Sequence, residues 1–444
     1  MLGALGEIEI SNAFPEFANT LASAVAKNGG KARIVDQPRG SGIYILTEAL
    51  NVDESPAARH FAVLESLVAN AGQPILTYVL EYCVATNLSR IGGNAGLCRS
   101  FRIERPGART FSLSLDTATD AGTHADWIVH ALTAEEQDYV LRADGGWRDE
   151  AGPSLSPPLL KPASDGRPVW LVTGGARGVT ASCAVELARR CGGTLLLLGR
   201  SSPVAWPDWL PQEADLKALR GLLARNSNRP DMPKTPADID RFARRLLASA
   251  EVSNTLEAIQ MAGGQALYLQ ADISNAEDVT RALAKAQRSA GAVTGLVHGA
   301  GVLSDGRTED LRLEDFEKVF GPKVDGLATV LSCLDGSSLE HVAMFSSASA
   351  VFGNMGQANY AAANAWLNNV ALQLSQMLPD AEVKSFCWGP WQGGMVDEAL
   401  ARMFTDRGIG LISEPEGARI FADLLLNSPK NQVRFVIGDE WGAA

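Results

Sequence analysis

The pattern of apolar residues in the second half of the chain predicts buried strands that alternate with helices. Seven short runs predict the strands: Val169–Thr173, Thr194–Leu198, Ala266–Gln270, Leu296–His298, Val342–Phe345, Glu382–Trp388 and Val433–Ile437. Between them lie stretches with apolar residues at helical spacing, such as Val179–Arg190. Continuous apolar strands separated by helices are typical of a parallel sheet that is covered on both faces. The pattern therefore predicts an α/β fold, a doubly wound parallel sheet of the Rossmann type.

The first 150 or so residues also have an α/β pattern, but they lack recognisable chemistry. Strands are predicted at Ala32–Val35, Ile43–Thr47 and Thr110–Leu115, and helices at Ala57–Ala71, Gly93–Ile103 and Ala125–Leu132. The run Pro74–Val84 is apolar and fits either a strand or a helix. Because this half has no Gly-rich phosphate turn and no acid/base cluster, we interpret it as a structural unit, a second and degenerate nucleotide-type fold.

A segment rich in Pro, Ser and Gly separates the two halves. It runs from Gly152 to Pro168 and has no periodicity, which indicates a linker or an extended crossover. We therefore expect a structural domain at residues 1–160 and a catalytic domain at residues 161–444.

A long insertion follows the second predicted strand of the catalytic half. Pro203–Ala262 is longer than a βα connection needs, and it contains a predicted helix at Ala237–Ala250. The simplest interpretation is a solvated helical decoration.

Composition and charge exclude several classes of protein. The chain has 444 residues, of which 46% are hydrophobic and 20% are charged, which is ordinary for a globular enzyme. Its net charge of −12 argues against nucleic acid as the main partner. No apolar run reaches the roughly 18 residues that a membrane span needs, and the N-terminus lacks the pattern of a signal peptide.

The cysteines and histidines do not suggest a metal site or a disulfide framework. The six cysteines form no C-x-x-C pair, and the five histidines are isolated. We expect a reduced cytoplasmic protein with no metal and no membrane contact.

A turn of small residues follows the strand Val169–Thr173 and leads directly into a helix. Backbone N–H groups at such a turn approach a pyrophosphate closely, and the helix dipole favours the anion. The residues predicted to form this cradle are Thr173, Gly174, Gly175, Ala176, Arg177, Gly178 and Val179.

The end of the second strand indicates which dinucleotide is bound. An acidic residue there would bind the ribose 2′-hydroxyl of NAD, whereas an arginine accommodates the 2′-phosphate of NADP. The sequence has Arg200 and Ser201 at this point, and no acid before Asp208. This favours NADPH, the alternative being a solvated surface arginine.

Other strand ends supply further candidate cofactor contacts. Asp272 and Ile273 follow the third strand, where a carboxylate can reach an adenine amino group. Gly299, Ala300 and Gly301 follow the fourth strand, where small residues let the backbone approach the cofactor ribose. A Gly/Pro-rich loop, Gly389–Met395, follows a later strand and includes Pro390. We interpret it as a candidate lid beside the nicotinamide, the alternative being an ordinary surface loop.

The strongest chemical signal is a hydroxyl pair. The run Val342–Phe345 ends in Ser346 and Ser347, and a helical pattern then presents Tyr360 and, one turn later, Asn364. A tyrosine has a pKa of about 10 and becomes a useful acid when an ammonium stabilises the phenolate and a second hydroxyl holds the substrate oxygen. The pair therefore predicts a nearby lysine and a nicotinamide. The alternative is a helix cap and a core aromatic, while a serine hydrolase is disfavoured because no G-x-S-x-G elbow exists.

These motifs resemble those of the short-chain dehydrogenase/reductases and, more narrowly, the ketoreductase domains of type I polyketide synthases and polyunsaturated fatty acid synthases. The segment FSS…GQANYAAAN is similar to the family's serine–tyrosine pattern. Single-domain reductases carry a lysine four residues after the tyrosine, whereas here Asn364 stands at that position and Lys323 comes from upstream, in PKVDGL. The synthase ketoreductases share this exchange.

The resemblance implies roles for the four residues of the site. Tyr360 would donate the proton and Ser347 would hold the carbonyl oxygen. Lys323 would orient the nicotinamide ribose and lower the pKa of the tyrosine, and Asn364 would support the proton relay.

The resemblance extends over nearly the whole chain. Asn94–Asp116 is similar to a segment in the non-catalytic half of these ketoreductases, which implies a truncated Rossmann-like structural subdomain. The insertion is more similar to the branch that makes polyunsaturated fatty acids. In the phosphate turn, Arg177 and Thr180 replace glycines that the family often has.

The resemblance also implies a stereochemical outcome. Asp305 lies in a loop similar to the family's LDD loop, and Phe352 stands where the opposite class has tryptophan. This implies a B-type (3R)-hydroxyacyl product, with Trp391 and Met395 as further substrate contacts.

The expected function is reduction of a 3-ketoacyl thioester, carried on the phosphopantetheine arm of an acyl carrier protein, with NADPH. The partners would be that carrier and the other domains of a synthase. One alternative is a ketoreductase of a modular or enediyne polyketide synthase. An alternative of another class is a catalytically silent, cofactor-binding scaffold.

Overall fold

The structure is a computed structural model, and it describes residues 2–39, 42–50, 54–73, 75–84, 88–117, 119–142, 145–148, 167–393, 396, 398–406 and 408–439. Two sheets account for its strands. They use separate parts of the chain.

The first sheet has the strand order β2-β1-β3-β4-β5-β6-β7 and is parallel except for the pair β6 and β7. Its strands are β1 (Glu7–Ser11), β2 (Lys31–Val35), β3 (Gly42–Leu46), β4 (Ile75–Val84), β5 (Arg109–Asp116), β6 (Tyr139–Arg142) and β7 (Gly145–Arg148). Its helices are α1 (Pro15–Lys27), α2 (Pro56–Ala69), α3 (Asn94–Glu104) and α4 (Ala121–Ala131).

The second sheet is parallel throughout, in the order β10-β9-β8-β11-β12-β13-β14. Its strands are β8 (Val169–Thr173), β9 (Thr194–Gly199), β10 (Gln265–Gln270), β11 (Gly295–His298), β12 (His341–Ser347), β13 (Glu382–Trp388) and β14 (Arg434–Ile437). Its helices are α5 (Gly178–Cys191), α6 (Leu216–Arg225), α7 (Pro236–Met261), α8 (Ala276–Ala290), α9 (Leu313–Phe320), α10 (Gly326–Ser332), α11 (Ser349–Phe352), α12 (Ala358–Met377), α13 (Glu398–Asp406) and α14 (Glu414–Asn427).

The strand order confirms the predicted doubly wound Rossmann sheet. From β8 the chain adds strands outward to β10, then crosses back to β11 on the other side of β8. This reversal opens a crevice at the carboxyl ends of β8 and β11, where ligands of such sheets bind.

Several elements differ from the sequence-based expectation. In the ambiguous run, Ile75–Val84 forms β4, because it pairs with β3 on one side and β5 on the other in the middle of the first sheet. The expectation also lacked β1 and α1. The sequence of β1 contains charged residues and does not resemble a buried strand. It is buried nevertheless, because the carboxylate of Glu9 is paired with Arg33 of β2.

The insertion has two parts with different surroundings. Residues of α6 and of the first half of α7 enclose a small core of their own: Leu210, Leu219, Leu223, Ile239, Ala243 and Leu246. The helix then runs past its predicted end, because Val252 and Ile259 continue its apolar face and join the core between α5 and the sheet.

The expected boundary between residues 160 and 161 lies outside the described residues, as does most of the linker. It therefore stays a prediction. The described strands on either side of it are β7 and β8.

The two halves share one continuous buried cluster, and their closest approach is between α3 and α12. Leu97 and Phe101 of α3 lie in the same cluster as Trp366 of α12. A side chain at Gly93 would come within 3 Å of the Ala362 carbonyl, and one at Gly96 would come equally close to the Ala361 carbonyl. The glycines thus let the first half pack directly on the backbone of α12.

This close approach predicts a specific weakness. Gly93→Ala should lower the free energy of unfolding by about 2–4 kcal/mol, since the new methyl group can be accommodated only by moving backbone. Urea unfolding checks it. Gly72→Ala is the control, because a side chain there meets no atom within 4 Å. Equal stability of the two variants would contradict this packing.

Candidate functional site

A cavity of about 1050 Å³ opens at the carboxyl edge of the second sheet. Most of the predicted site residues line it: Gly174, Ala176, Arg177, Gly178, Val179, Arg200, Ser201, Asp272, Ile273, Gly299, Ala300, Gly301, Asp305, Lys323, Ser347, Tyr360, Pro390 and Trp391. The sheet order explains this convergence, since these residues follow the ends of neighbouring parallel strands.

Four predicted residues lie outside the cavity lining, and a fifth is not described. Thr173 and Gly175 lie behind the phosphate turn, where the Thr173 hydroxyl bonds the His298 ring at 2.9 Å. Asn364 is buried one helical turn below Tyr360. Phe352 does not line the cavity itself but packs in an apolar cluster with Ile409 and Phe404, and Phe404 belongs to the cavity wall. Met395 lies outside the described residues.

The phosphate turn has the shape that a dinucleotide needs. Gly174 has φ of +70°, which L side chains rarely adopt, and its N–H donates to the Leu198 carbonyl at 3.1 Å. Its α-carbon faces the backbone of Ala300 so closely that a side chain would contact it at 3.0 Å. Helix α5 then begins at Gly178, with its N-terminus toward the cavity. The residues present therefore fit a pyrophosphate.

The two departures from glycine in this turn are accommodated. A side chain at Gly299 would come within 3 Å of the Thr180 side chain, so Gly299 provides the space that Thr180 uses. Arg177 has extended backbone and lines the cavity, which places a cation beside the phosphate turn.

The adenosine end of the cavity is organised around the ends of β9 and β10. The Tyr268 hydroxyl donates to the Ser201 carbonyl at 2.7 Å and so fixes the chain next to Arg200. Asp272 accepts hydrogen bonds from the backbone and side chain of Ser274, at 3.0 and 2.7 Å. These bonds, with a smaller contribution from the charge of Arg200, lower the pKa of Asp272.

One wall of the cavity comes from the insertion, which corrects its interpretation as a solvated decoration. Ala248, Ser249, Glu251 and Val252 of α7 line the cavity. Glu251 accepts a hydrogen bond from the Gly178 N–H at 2.8 Å, and Thr255 donates to the Ala176 carbonyl at 3.0 Å. The signal that could have revealed this wall is the continuation of the apolar face of α7 toward the third strand.

Lys323 reaches the cavity from a π-helical turn, Gly321–Asp325, between α9 and α10. Its ammonium donates to the Phe345 carbonyl at 3.0 Å and lies 5.3 Å from the centre of the Tyr360 ring. A side chain at Gly301 would contact the Lys323 side chain at 2.9 Å, so this glycine makes room for it. Burial lowers the pKa of Lys323 to about 7.

Tyr360 lies in the first turn of α12, and burial raises its pKa to about 12, with the Asn364 side chain acting against this rise. The Asn364 amide donates to the Tyr360 carbonyl at 2.8 Å. Its buried Oδ1 has no hydrogen-bond partner among the described residues. The pKa of Tyr360 is thus raised by burial and not lowered by Lys323 as expected from the sequence, and near neutral pH the tyrosine holds its proton.

The hydroxyl of Ser347 is already engaged as an acceptor. It accepts from the Ser349 backbone at 3.2 Å and from the Ser349 hydroxyl at 3.0 Å. Because both of these bonds use lone pairs, the proton of Ser347 stays available for an oxygen in the cavity. Ser349 was missed by the sequence reasoning, and its position two residues after Ser347 is the only sequence signal for it.

The other end of the cavity is formed by apolar side chains and a polar rim. Leu400, Met403 and Phe404 of α13 line it, next to Pro390 and the buried Trp391. At the rim, Asp305 accepts a hydrogen bond from the Gln357 side chain at 2.9 Å. The described part of the loop after β13 and helix α13 thus line this end of the cavity, and their role as a lid stays a prediction.

Two features of other site classes are absent from the described part of the chain. No helix there is both long and apolar enough to cross a membrane. No cluster of three or more His, Cys, Asp or Glu side chains in those segments could hold a metal ion.

Comparison with known proteins gives consistent matches. The family model for the ketoreductase (KR) domain matches residues 168–393. The chain is 33% identical over 357 residues to a polyunsaturated fatty acid synthase chain of Thraustochytrium sp., and 26% identical over 342 residues to polyketide synthase PksL of Bacillus subtilis. These matches cover 77% and 72% of this chain but span only 13% and 6% of the two relatives.

Solved structures share the fold at low sequence identity. A ketoreductase domain from the bacillaene assembly line superposes with a TM-score of 0.65 at 21% identity, covering 98% of this chain and 92% of that one. An A-type ketoreductase structure from a modular polyketide synthase gives a TM-score of 0.70 at 19% identity, covering 98% and 89%.

The burial of Lys323 predicts a pH-dependent stability difference. Its pKa is about 7 in the folded protein and 10.5 ordinarily, so below pH 7 folding must bury an ammonium, and that cost disappears as the pH rises toward 10. Lys323→Met should therefore be more stable than wild type near pH 6.5, by several kcal/mol in order of magnitude, and this advantage should shrink by pH 9.5.

Urea unfolding of both proteins at the two pH values measures this difference. Lys285→Met, which removes an exposed ammonium on α8, is the matched control. A stability difference for Lys323→Met that does not change with pH would contradict the desolvated ammonium.

Proposed function

Because the KR family model matches half of its length, this chain belongs to the ketoreductase-domain family, and we propose that it reduces a 3-ketoacyl thioester with NADPH. The family implies an oxidoreductase that acts on a keto group with a nicotinamide cofactor. The observation that carries the finer proposal is the convergence of Lys323, Ser347 and Tyr360 on one cavity, with the Ser347 proton left free.

Each residue of the site has a distinct task in the proposed reaction. When bound, NADPH supplies the hydride that the C3 carbon accepts. Ser347 and Tyr360 hold the carbonyl oxygen by hydrogen bonds, and Tyr360 transfers its proton to that oxygen as the C=O bond becomes C–OH. The Lys323 ammonium stabilises the resulting phenolate.

The phenolate must then recover a proton. Asn364 supports this step in the proposal, because its buried Oδ1 lacks a partner in the described structure and can accept from a water that leads toward the phenolate oxygen. The phenolate then takes its proton from solvent through that water.

The preference for NADPH rests on the end of β9. Arg200 is exposed at the cavity wall beside Ser201, where a ribose 2′-phosphate would lie. The guanidinium pairs well with a phosphate, and no carboxylate follows β9 to bind a free 2′-hydroxyl.

The substrate is proposed to be an acyl chain on the phosphopantetheine of an acyl carrier protein, within a synthase that makes polyunsaturated fatty acids. The relative at 33% identity is part of such a synthase. The wall formed by Leu400, Met403 and Phe404 suits a hydrocarbon chain. The other domains of the synthase would be its partners.

The proposed 3R product rests on Asp305 alone. Asp305 lies at the rim of the cavity and is bonded to Gln357, within reach of an entering substrate. Phe352 does not itself line the cavity, although it packs in the cluster that includes the wall residue Phe404, so it adds no direct contact to this argument.

The reaction is tested by following NADPH absorbance with trans-1-decalone as a model ketone. Tyr360→Phe should lose about 10²–10⁴-fold in turnover, the range for a lost general acid, while its NADPH affinity stays unchanged. Tyr139→Phe in the first half is the control and should keep full activity.

Two results would count against the proposal. Tight NADPH binding by the wild type without NADPH consumption would favour the silent scaffold, and loss of cofactor binding in Tyr360→Phe would mean that the tyrosine is misassigned. Carrier-bound 3-ketoacyl chains of defined length then separate the two synthase classes, since faster reduction of short polar chains would favour a polyketide ketoreductase.

Arg200 carries a separate prediction about cofactor choice. Arg200→Glu should weaken NADPH binding by about 10–100-fold, because it replaces a charge-assisted phosphate contact by repulsion, and should leave NADH binding nearly unchanged. Fluorescence titration with both cofactors measures this. Arg281→Glu on α8 is the surface control, and an equal loss for both cofactors would contradict the role of Arg200.

A further inference from the structure

The first half of the chain contacts both loops at the substrate end of the cavity through one carboxylate. Glu104, at the end of α3, accepts hydrogen bonds from two loops of the second half. One of its oxygens accepts from the Thr308 N–H at 2.8 Å and from the Thr308 hydroxyl at 3.0 Å, and the other accepts from the Gly356 N–H at 2.8 Å. Here these loops, residues 302–308 and 353–357, are called the rim loops.

The rim loops form the mouth of the cavity. The first contributes Val302, Leu303 and Asp305 to its lining, and the second contributes Asn354, Met355 and Gln357. They are also bonded to each other, since the Gly306 N–H donates to the Gly356 carbonyl at 2.9 Å and Gln357 donates to Asp305. A shift of either loop therefore moves the groups that an entering substrate meets.

The helix that carries Glu104 is itself fixed to the helix that carries Tyr360. Gly96 of α3 packs on the Ala361 carbonyl of α12. Farther along α3, Ser100 accepts from the Asn354 N–H at 3.1 Å, and Arg99 donates to the Ala350 carbonyl at 2.9 Å. Both the proton donor and the rim loops thus take their position from α3.

We propose that Glu104 is a positioning residue that holds the two rim loops in register with Tyr360 and thereby sets which face of the substrate ketone meets the hydride. This inference rests on the proposed reduction. It assigns a role in the reaction to a half of the chain that the sequence identified as purely structural.

The chemistry of the carboxylate makes the role specific. An ionised carboxylate accepts from three donors without conflict, whereas the amide of glutamine must turn an NH₂ group toward one of the rim loops. Glu104→Gln should therefore release one loop, and Glu104→Ala should leave the donors of both loops without this acceptor.

The first experiment measures reduction of a 3-ketoacyl-N-acetylcysteamine thioester with NADPH, together with the 3R:3S ratio of the product by chiral chromatography. Glu104→Gln should lower kcat/KM by about 10–100-fold, as expected for a misplaced reactive geometry, and should shift the product ratio toward a mixture. Its NADPH affinity should remain within about twofold of wild type, because Glu104 lies away from the cofactor end. Glu65→Gln, at an exposed position on α2, is the matched control.

The second experiment needs no activity. Amide hydrogen exchange should become faster at Thr308 and Gly356 in Glu104→Gln, while the amides of α12 keep their protection. This readout separates the inference from the function: a wild type that reduces no ketone would defeat the proposed function, yet exchange would still report on the rim loops.

The inference is overturned if Glu104→Gln keeps the wild-type product ratio and wild-type exchange at both amides. It is also overturned if exchange rises throughout α12 and the whole protein loses stability, since Glu104 would then be an ordinary structural contact.

Discussion

The structure depends on a contact between two backbones. Where α3 meets α12, the first half of the chain presents glycines and the second half presents alanines, so the helices approach without side chains between them. This brings the two halves into one buried cluster and fixes α12, which carries Tyr360 at its start. A methyl group added between α3 and α12 would shift Tyr360 relative to the first half, because packed interiors transmit such displacements rather than absorbing them.

The electrostatics of the site depend on Lys323, which lies on a different helical segment from Tyr360. Lys323 arrives through the π-helical turn and is held by the Phe345 carbonyl, so the position one turn after Tyr360 is free for Asn364. Burial acts in opposite directions on the two acidic protons. It makes the lysine easier to deprotonate and the tyrosine harder to deprotonate, because in each case burial disfavours the charged form.

Much of this arrangement could be predicted from the sequence, because buried parallel strands and the residues at their ends leave strong local patterns. The order of β8 to β14, the phosphate turn and the Ser347–Tyr360 pair are of this kind. The features that the sequence analysis did not predict depend on tertiary contacts. The far half of α7 forms a wall of the cavity, and Glu104 accepts hydrogen bonds from residues more than 200 positions away along the chain. No local pattern encodes such partners.

The hydrogen bond between Glu251 and the start of α5 has a consequence for selectivity. The Glu251 carboxylate accepts a hydrogen bond from the Gly178 N–H at 2.8 Å, and this donor belongs to the turn where a phosphate group would bind. The Glu251 carboxylate therefore competes with a phosphate group for the hydrogen bond from the Gly178 N–H. Small anions such as sulfate offer little beyond the contact they would have to displace, whereas a dinucleotide brings its ribose and base contacts as well. A dinucleotide that uses the Gly178 N–H must therefore displace the Glu251 carboxylate, and its additional contacts favour it over a small anion.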